Sequence, residues 1–82
     1  MGKYTKPNTA LIKWINAYSK CEYTLNYAYD GVALFKVNDP QTGSVSNVTH
    51  YIKESQMNTV LYALQDYITK EMYYDAQQRN LA

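Results

Sequence analysis

The stretch CEYTLNYAYDG, residues Cys21 to Gly31, alternates apolar and polar side chains and then ends in a turn-forming pair. From Glu22 to Tyr29 the alternation is strict. A period of two residues is typical of a β-strand that buries one face. Asp30-Gly31 favours a two-residue turn, which returns the chain into a second strand. The stretch therefore predicts a β-hairpin.

The turn also predicts which side chains share a face of the hairpin. With Asp30 and Gly31 at its centre, Tyr29 is expected opposite Val32 and Tyr27 opposite Leu34. The rings that we then expect in the core are Tyr23, Tyr27 and Tyr29. The opposite face carries a smaller apolar set, namely Ala28, Ala33, Phe35 and Val37. We expect Phe35 to remain outside the core, without an internal partner.

Two amphipathic helices are predicted around the strands. The first runs from about Ala10 to Ser19, with Asn8 or Thr9 as its N-terminal cap. The second runs from about residue 56 to residue 78 after a Ser55 cap. Its apolar stripe consists of Met57, Val60, Leu61, Leu64, Ile68 and Met72, with Tyr67 and Tyr74 at the margin. Tyr62 and Tyr73 point nearly opposite to this stripe.

The segment NDPQTGS, residues 38–44, is rich in turn-forming residues and predicts a second hairpin loop. A third strand, at the edge of the sheet, is expected from Ser44 to Ile52. The fold class is therefore α+β in the order α-β-β-β-α, a three-stranded antiparallel sheet with two helices packed on one face. We expect one domain over residues 1–82, with residues 1–7 flexible and residues 76–82 frayed.

The composition favours a folded protein in a reducing compartment. Apolar residues make up 46% of the chain and charged residues 18%, as in globular domains. Cys21 is the one cysteine, and no apolar run resembles a signal peptide or a membrane span. We therefore expect a cytoplasmic protein with no membrane partner.

The sequence offers few residues for catalysis or metal binding. Cys21 and His50 are single and far apart, so we expect no metal site and no cofactor. The two could form a nucleophilic pair only if the first and third strands met, and no orienting group is apparent. The acids Asp66, Glu71 and Asp75 are spread around the second helix, as in a solvated ion-pair pattern. The prediction is that the protein is not an enzyme.

The leading functional hypothesis is a protein-binding module whose exposed aromatic residues contact a partner. The residues predicted to bind the partner are Tyr62, Tyr73, Phe35 and Lys70. The alternative is a nucleic-acid-binding protein that uses Lys6, Lys13 and Lys20, because residues 1–20 carry four lysines and no acid. A third possibility is a homodimer formed through the third strand and the face of Phe35.

Two resemblances bear on these hypotheses. The element order over residues 8–74 resembles that of double-stranded RNA-binding domains, which implies binding to RNA. That family opens its second helix with a lysine-rich segment, where this chain has Ser55-Gln56-Met57-Asn58-Thr59 after a single Lys53. In size and composition the chain also resembles small phage-encoded inhibitor proteins, including anti-CRISPR proteins. This likeness implies an inhibitor of a host nuclease or defence complex, acting in the host cytoplasm.

Overall fold

A computed structural model describes residues 3–81 of the protein. The order is α1 (Thr5–Tyr18), β1 (Glu22–Ala28), β2 (Gly31–Asp39), β3 (Ser44–Asn47) and α2 (Glu54–Leu81). The strands form one antiparallel sheet in the order β1-β2-β3. The predicted α+β fold is therefore confirmed. Within residues 3–81, neither helix is long and apolar enough to cross a membrane.

The two helices lie side by side and run in the same direction on one face of the sheet. Thr5, in the first turn of α1, contacts Glu54 at the start of α2, and Lys20, just after α1, reaches Glu71 and Asp75 further along α2. α1 packs on β1 and α2 packs on β2. The buried core between helices and sheet consists of Leu11, Ile15, Val32, Leu34, Met57, Leu61 and Ile68.

The first hairpin is shifted by two residues from the predicted register. Tyr27 pairs with Val32 and Leu25 pairs with Leu34. A shift of two leaves every side chain on its predicted face, because side chains alternate with a period of two. The central turn residues are Tyr29 and Asp30, with φ of 54° and 57°. The prediction of an Asp30-Gly31 turn is thus wrong.

Gly31 is needed inside β2 for a reason that the local sequence does not reveal. A Cβ atom at Gly31 would lie 2.8 Å from the carbonyl oxygen of Ile52. The neighbouring Val32 and Ile52 exchange two backbone hydrogen bonds of 2.8 and 2.9 Å. The glycine therefore permits close approach of the chain that leads into α2.

The expected burial of the strand tyrosines is correct only in part. Tyr23 is half-buried and packs against the core. Tyr29 lies in the turn rather than beneath the helices, so its side chain is 86% exposed. Tyr27, at the open end of β1, is 46% exposed. Of the three rings, Tyr23 alone packs against the core.

The third strand is shorter than predicted because the chain bulges after Asn47. Phe35 pairs with Asn47, but Val32 pairs with Ile52, so two additional residues lie on the β3 side. Leu34 fastens the bulge: its N–H donates to the Thr49 hydroxyl at 3.0 Å and its C=O accepts from Val48 N–H at 2.8 Å. The prediction that the third strand continues to Ile52 is therefore wrong. Beyond the bulge, Ile52 pairs with Val32 as an isolated bridge.

Tyr51 partly covers the sheet face that the helices leave open. Asn26 Nδ2 donates to the Tyr51 hydroxyl oxygen at 2.7 Å. Asn26 belongs to β1 and pairs with Ala33 of β2, so the ring must pass over Ala33 to reach it. Ala33 is fully buried, and Phe35 is half-buried. The expectation that Phe35 remains outside the core without an internal partner is thus only partly correct.

The first helix begins earlier than predicted. α1 starts at Thr5, and its N-cap residue Tyr4 makes no side-chain capping hydrogen bond. Asn8 is fully buried: its Nδ2 donates to the Glu54 carbonyl at 3.1 Å, and its Oδ1 accepts from Asn58 Nδ2 at 3.0 Å. The prediction that Asn8 or Thr9 caps the helix is therefore wrong. Asn8 instead fastens α1 to α2.

The second helix is longer than predicted at both ends. It begins at Glu54, which places Ser55 inside the helix instead of at its cap. Ile68 is the last buried residue of α2 among residues 54–79, and Met72 one turn later is 43% exposed. The final part of α2 therefore projects beyond the core. The expected fraying of residues 76–82 stays a prediction, and Ala82 lies outside the described residues.

Candidate functional site

The dominant surface feature is a set of exposed tyrosines on α2. The exposed fractions are 54% for Tyr62, 64% for Tyr67, 67% for Tyr73 and 60% for Tyr74. Single exposed aromatic residues are ordinary on a protein surface, but several on one helix form a candidate interaction site. Tyr62 and Tyr73 are exposed as the sequence predicted.

These tyrosines form two ridges along the helix. Tyr62 and Tyr73 are eleven residues apart, which places them within about 20° around the axis and about 16 Å apart along it. Tyr67 and Tyr74 are seven residues apart and also lie within about 20° of each other. The two ridges are separated by about 120° around the helix. We call the two ridges and the solvent-facing strip between them the outer surface of α2.

An ion pair occupies the strip between the ridges. Lys70 Nζ lies 3.0 Å from Asp66 Oδ2, and their side chains are 77% and 65% exposed. Exposed pairs at this spacing contribute only a few tenths of a kcal/mol, about 0.3–0.5. A partner that offers a carboxylate could therefore take Lys70 from Asp66 at little cost. The predicted site residue Lys70 is thus placed beside the tyrosine ridges.

Tyr73 is held in place by its own helix. Gln77 Nε2 donates a hydrogen bond of 2.9 Å to the Tyr73 hydroxyl oxygen. Ordering a side chain before binding lowers the entropy lost when the complex forms. The ring therefore stands as a preorganised contact on the projecting part of α2.

Phe35 does not join this surface. It belongs to β2 and points to the sheet face opposite the helices, where its cross-strand partners are Thr24 and Asn47. The sheet and the core therefore separate Phe35 from Tyr62 and Tyr73. The structure does not bring these predicted site residues together.

The lysines proposed for nucleic-acid binding divide into two groups. Lys6 and Lys13 are exposed and seven residues apart, so they share one face of α1. Lys20 Nζ instead lies 3.7 Å from Glu71 Oε1 and 3.6 Å from Asp75 Oδ2. The Lys20 side chain is 76% exposed, so these ion pairs are weak, like that of Lys70. Within residues 3–81, Lys6 and Lys13 have no ion-pair partner, whereas Lys20 has two acids beside it.

A pocket of about 430 Å³ opens where the end of α1 and the start of β1 meet α2. Its lining includes Cys21, Tyr23 and Glu71. Burial raises the pKa of the Tyr23 phenol above 10, and the neighbouring Cys21 thiol raises it further. The free thiol of Cys21 is half-buried.

The structure does not form the nucleophilic pair considered from the sequence. Cys21 precedes β1, whereas His50 lies in the bulge after β3, and β2 runs between those two strands. Over residues 3–81 there is also no group of three or more His, Cys, Asp or Glu side chains placed to hold a metal ion. Cys21 and His50 are therefore independent residues.

Comparison with known proteins gives no further assignment. Neither a protein-family model nor a curated protein nor a solved structure matches the chain. Sequence reasoning assigned Tyr67 and Tyr74 to the margin of the buried stripe and so missed the second ridge. The available signal was their seven-residue spacing, which places the two rings on one line along α2.

Proposed function

We propose that this protein is a non-enzymatic module that binds another protein through the outer surface of α2. The observation that carries the proposal is the pair of ridges formed by Tyr62 with Tyr73 and by Tyr67 with Tyr74, all more than half exposed. Tyrosine offers a large contact area with few rotatable bonds, and it is enriched at protein interfaces. The ion pair of Lys70 adds a polar contact between the ridges.

The position of these residues supports binding by a rigid surface. The opposite side of α2 buries Met57, Leu61 and Ile68 in the core, which fixes the helix against the sheet. Tyr62 and Tyr67 lie on this packed part of α2, where a side chain loses less freedom on binding than a side chain on a loop. Tyr73 and Tyr74 lie on the part that projects beyond the core. A few central side chains then dominate the affinity, each worth about 2 kcal/mol or more when truncated.

We propose further that binding inhibits a larger macromolecular assembly by covering part of its surface. One support is the likeness in size and composition to small phage-encoded inhibitors. The other is that the candidate surface is formed by protruding side chains and not by a deep pocket. A host nuclease or defence complex in the cytoplasm is the partner that this likeness favours.

The test is affinity capture from host lysate with quantitative identification of the bound proteins. The wild type is compared with a Tyr62→Ala/Tyr73→Ala double variant, with circular dichroism as a check of folding. We expect the double variant to capture at least about tenfold less of the specific partner than the wild type does. A matched control, Tyr18→Ala/Tyr29→Ala, removes two exposed rings elsewhere and should retain it. Equal capture by the two double variants would reject the outer surface of α2.

A second candidate function is nucleic-acid binding through α1, favoured by the exposed Lys6 and Lys13 on one helical face. Phosphate contacts make affinity fall steeply with salt, whereas an aromatic protein interface depends on salt far less. The test is retention on a polyanion column at low salt by the wild type and by Lys6→Gln/Lys13→Gln. Retention that the lysine variant loses would favour this function, and no retention by the wild type would exclude it.

A further inference from the structure

The hydrogen-bonding pattern of β2 shows which backbone groups of β1 face outward. Leu34 directs its N–H and C=O toward the bulge after β3, and Val32 directs its own toward Ile52. Their partners in β1 are Leu25 and Tyr27. In an antiparallel pair, residues opposite each other either both bond across the pair or both point away. The N–H and C=O groups of Leu25 and Tyr27 therefore point to the free edge of the sheet.

These four groups have no hydrogen-bond partner within residues 3–81. The next outward residue, Tyr23, differs because the side chain of Asn16 satisfies both of its backbone groups at 2.8 Å. The open part of the edge thus extends from Thr24 to Ala28. It contains no proline, no charged residue and no bulge, which are the usual devices that keep an edge strand from pairing.

The other edge of the sheet, formed by β3, is better protected against pairing with another strand than the β1 edge is. β3 has only four residues, its pairing with β2 shifts register near Val37, and the chain bulges after Asn47. Pro40 lies in the loop just before it. The unprotected edge of this sheet is therefore that of β1.

We propose that a second copy of this chain pairs with β1 in an antiparallel arrangement about a two-fold axis at Asn26. Leu25 of each copy then bonds to Tyr27 of the other copy, and the outward N–H and C=O groups of both residues are satisfied. The two three-stranded sheets become one six-stranded sheet. This inference is independent of the proposed function, since among residues 3–81 α2 packs on β2 and not on β1.

A second copy fits this edge better than an unrelated strand for two reasons. In this register Tyr23, which Asn16 already occupies, lies opposite Tyr29 of the other copy, where that strand has ended in its turn. The blocked position of each copy therefore meets no strand. At the axis Asn26 faces Asn26. Each amide donates one Nδ2 hydrogen to Tyr51 of its own copy, and it keeps a second donor hydrogen and the Oδ1 acceptor for the other copy.

The test combines sedimentation equilibrium with amide hydrogen exchange of the wild-type chain over a wide concentration range. We expect a reversible dimer, and we expect exchange at Leu25 and Tyr27 to slow at least about tenfold as the dimer forms. The amides of Thr24 and Asn26 bond to β2 and should stay protected at every concentration. A monomer at all concentrations would overturn the proposal. So would a dimer that leaves exchange at Leu25 and Tyr27 unchanged, or pairing of β1 with another protein only.

A pair of variants at Tyr27 separates the backbone from the ring. Tyr27→Pro removes the outward N–H and is compatible with an edge strand, whereas Tyr27→Ala keeps the N–H and removes only the ring. We expect the proline variant to raise the dissociation constant of the dimer at least about tenfold over the alanine variant. Equal dimerisation by the two would contradict the proposal. If the proline variant fails to fold, the exchange measurement on the wild type decides.

Discussion

The side-chain amide of Asn16 binds the backbone of Tyr23 as a neighbouring strand would. Asn16 Nδ2 donates to the Tyr23 carbonyl at 2.8 Å, and the Tyr23 N–H donates to Asn16 Oδ1 at 2.8 Å. One side chain thereby provides both the donor and the acceptor of a peptide group. The contact fastens the last turn of α1 to the outer edge of β1 and closes the first position of that edge.

Replacing Asn16 by alanine should therefore destabilise the protein although Asn16 is exposed. Two hydrogen bonds are lost at about 1 kcal/mol each, and the higher helix propensity of alanine returns about half a kcal/mol. We expect urea unfolding to show a net loss of about 1.5 kcal/mol. Lys13→Ala, an exposed control on the same helix, should change the free energy of unfolding by less than about 0.5 kcal/mol. Equal effects of the two substitutions would show that the contact is not formed in solution.

The buried Asn8 should be far less tolerant of substitution than an exposed helix residue. Asn8→Leu leaves the Glu54 carbonyl and the Asn58 amide without their partner between the helices, and an unsatisfied buried polar group costs about 1–3 kcal/mol. We expect urea unfolding to show a loss of about 2–3 kcal/mol for this variant.

A double-mutant cycle tests the contact between Asn8 and Asn58 directly. Asn58→Leu removes the other side of the pair, and the double variant should lose less stability than the two single variants together. The expected coupling is about 1 kcal/mol. Strict additivity would mean that the two side chains act independently.

The sheet faces could be predicted from sequence, whereas the turn could not. The alternation from Glu22 to Tyr29 fixes which residues share a face, and a register shift of two residues leaves that pattern unchanged. The turn depends on Ile52, which is remote in sequence and approaches Gly31 too closely for any other residue. A tertiary contact therefore outweighs the local turn preference of Asp30-Gly31.

One of the two tyrosine ridges of the candidate site could be predicted from the sequence, and the other could not. Helical geometry alone places Tyr62 and Tyr73 away from the core stripe, and both are exposed. The exposure of Tyr67 and Tyr74 depends on where α1 ends relative to α2, which requires the packing of the two helices. The burial of Asn8 could not be predicted for the same reason, because it depends on the packing of α1 against its partners in α2.

Two glycines should respond to alanine substitution for different reasons. At Gly31 a Cβ meets the Ile52 backbone at 2.8 Å, so Gly31→Ala should displace Ile52 and break its pairing with Val32. At Gly43 the space is open, but φ is +76°, so Gly43→Ala should cost about 1 kcal/mol of local strain. Amide exchange at Val32 and Ile52 distinguishes the two effects. It should accelerate in Gly31→Ala and stay unchanged in Gly43→Ala, and unchanged exchange in both would contradict the close approach.

The stability of the protein should fall at alkaline pH because of Tyr23. Burial first, and then Cys21, raise the pKa of its phenol in the folded state above the ordinary value of 10. Between the unfolded and folded pKa values the folded state holds the proton and the unfolded state has released it, so deprotonation favours unfolding. The contribution is complete below about pH 10 and is lost as the pH rises through the folded pKa.

Urea unfolding between pH 8 and 11 measures this loss in the wild type and in Tyr23→Phe. The phenylalanine variant keeps the ring and has no ionisable phenol, so its free energy of unfolding should decline less steeply with pH. Identical slopes for Tyr23→Phe and the wild type would mean that Tyr23 titrates as freely in the folded protein as in the unfolded chain.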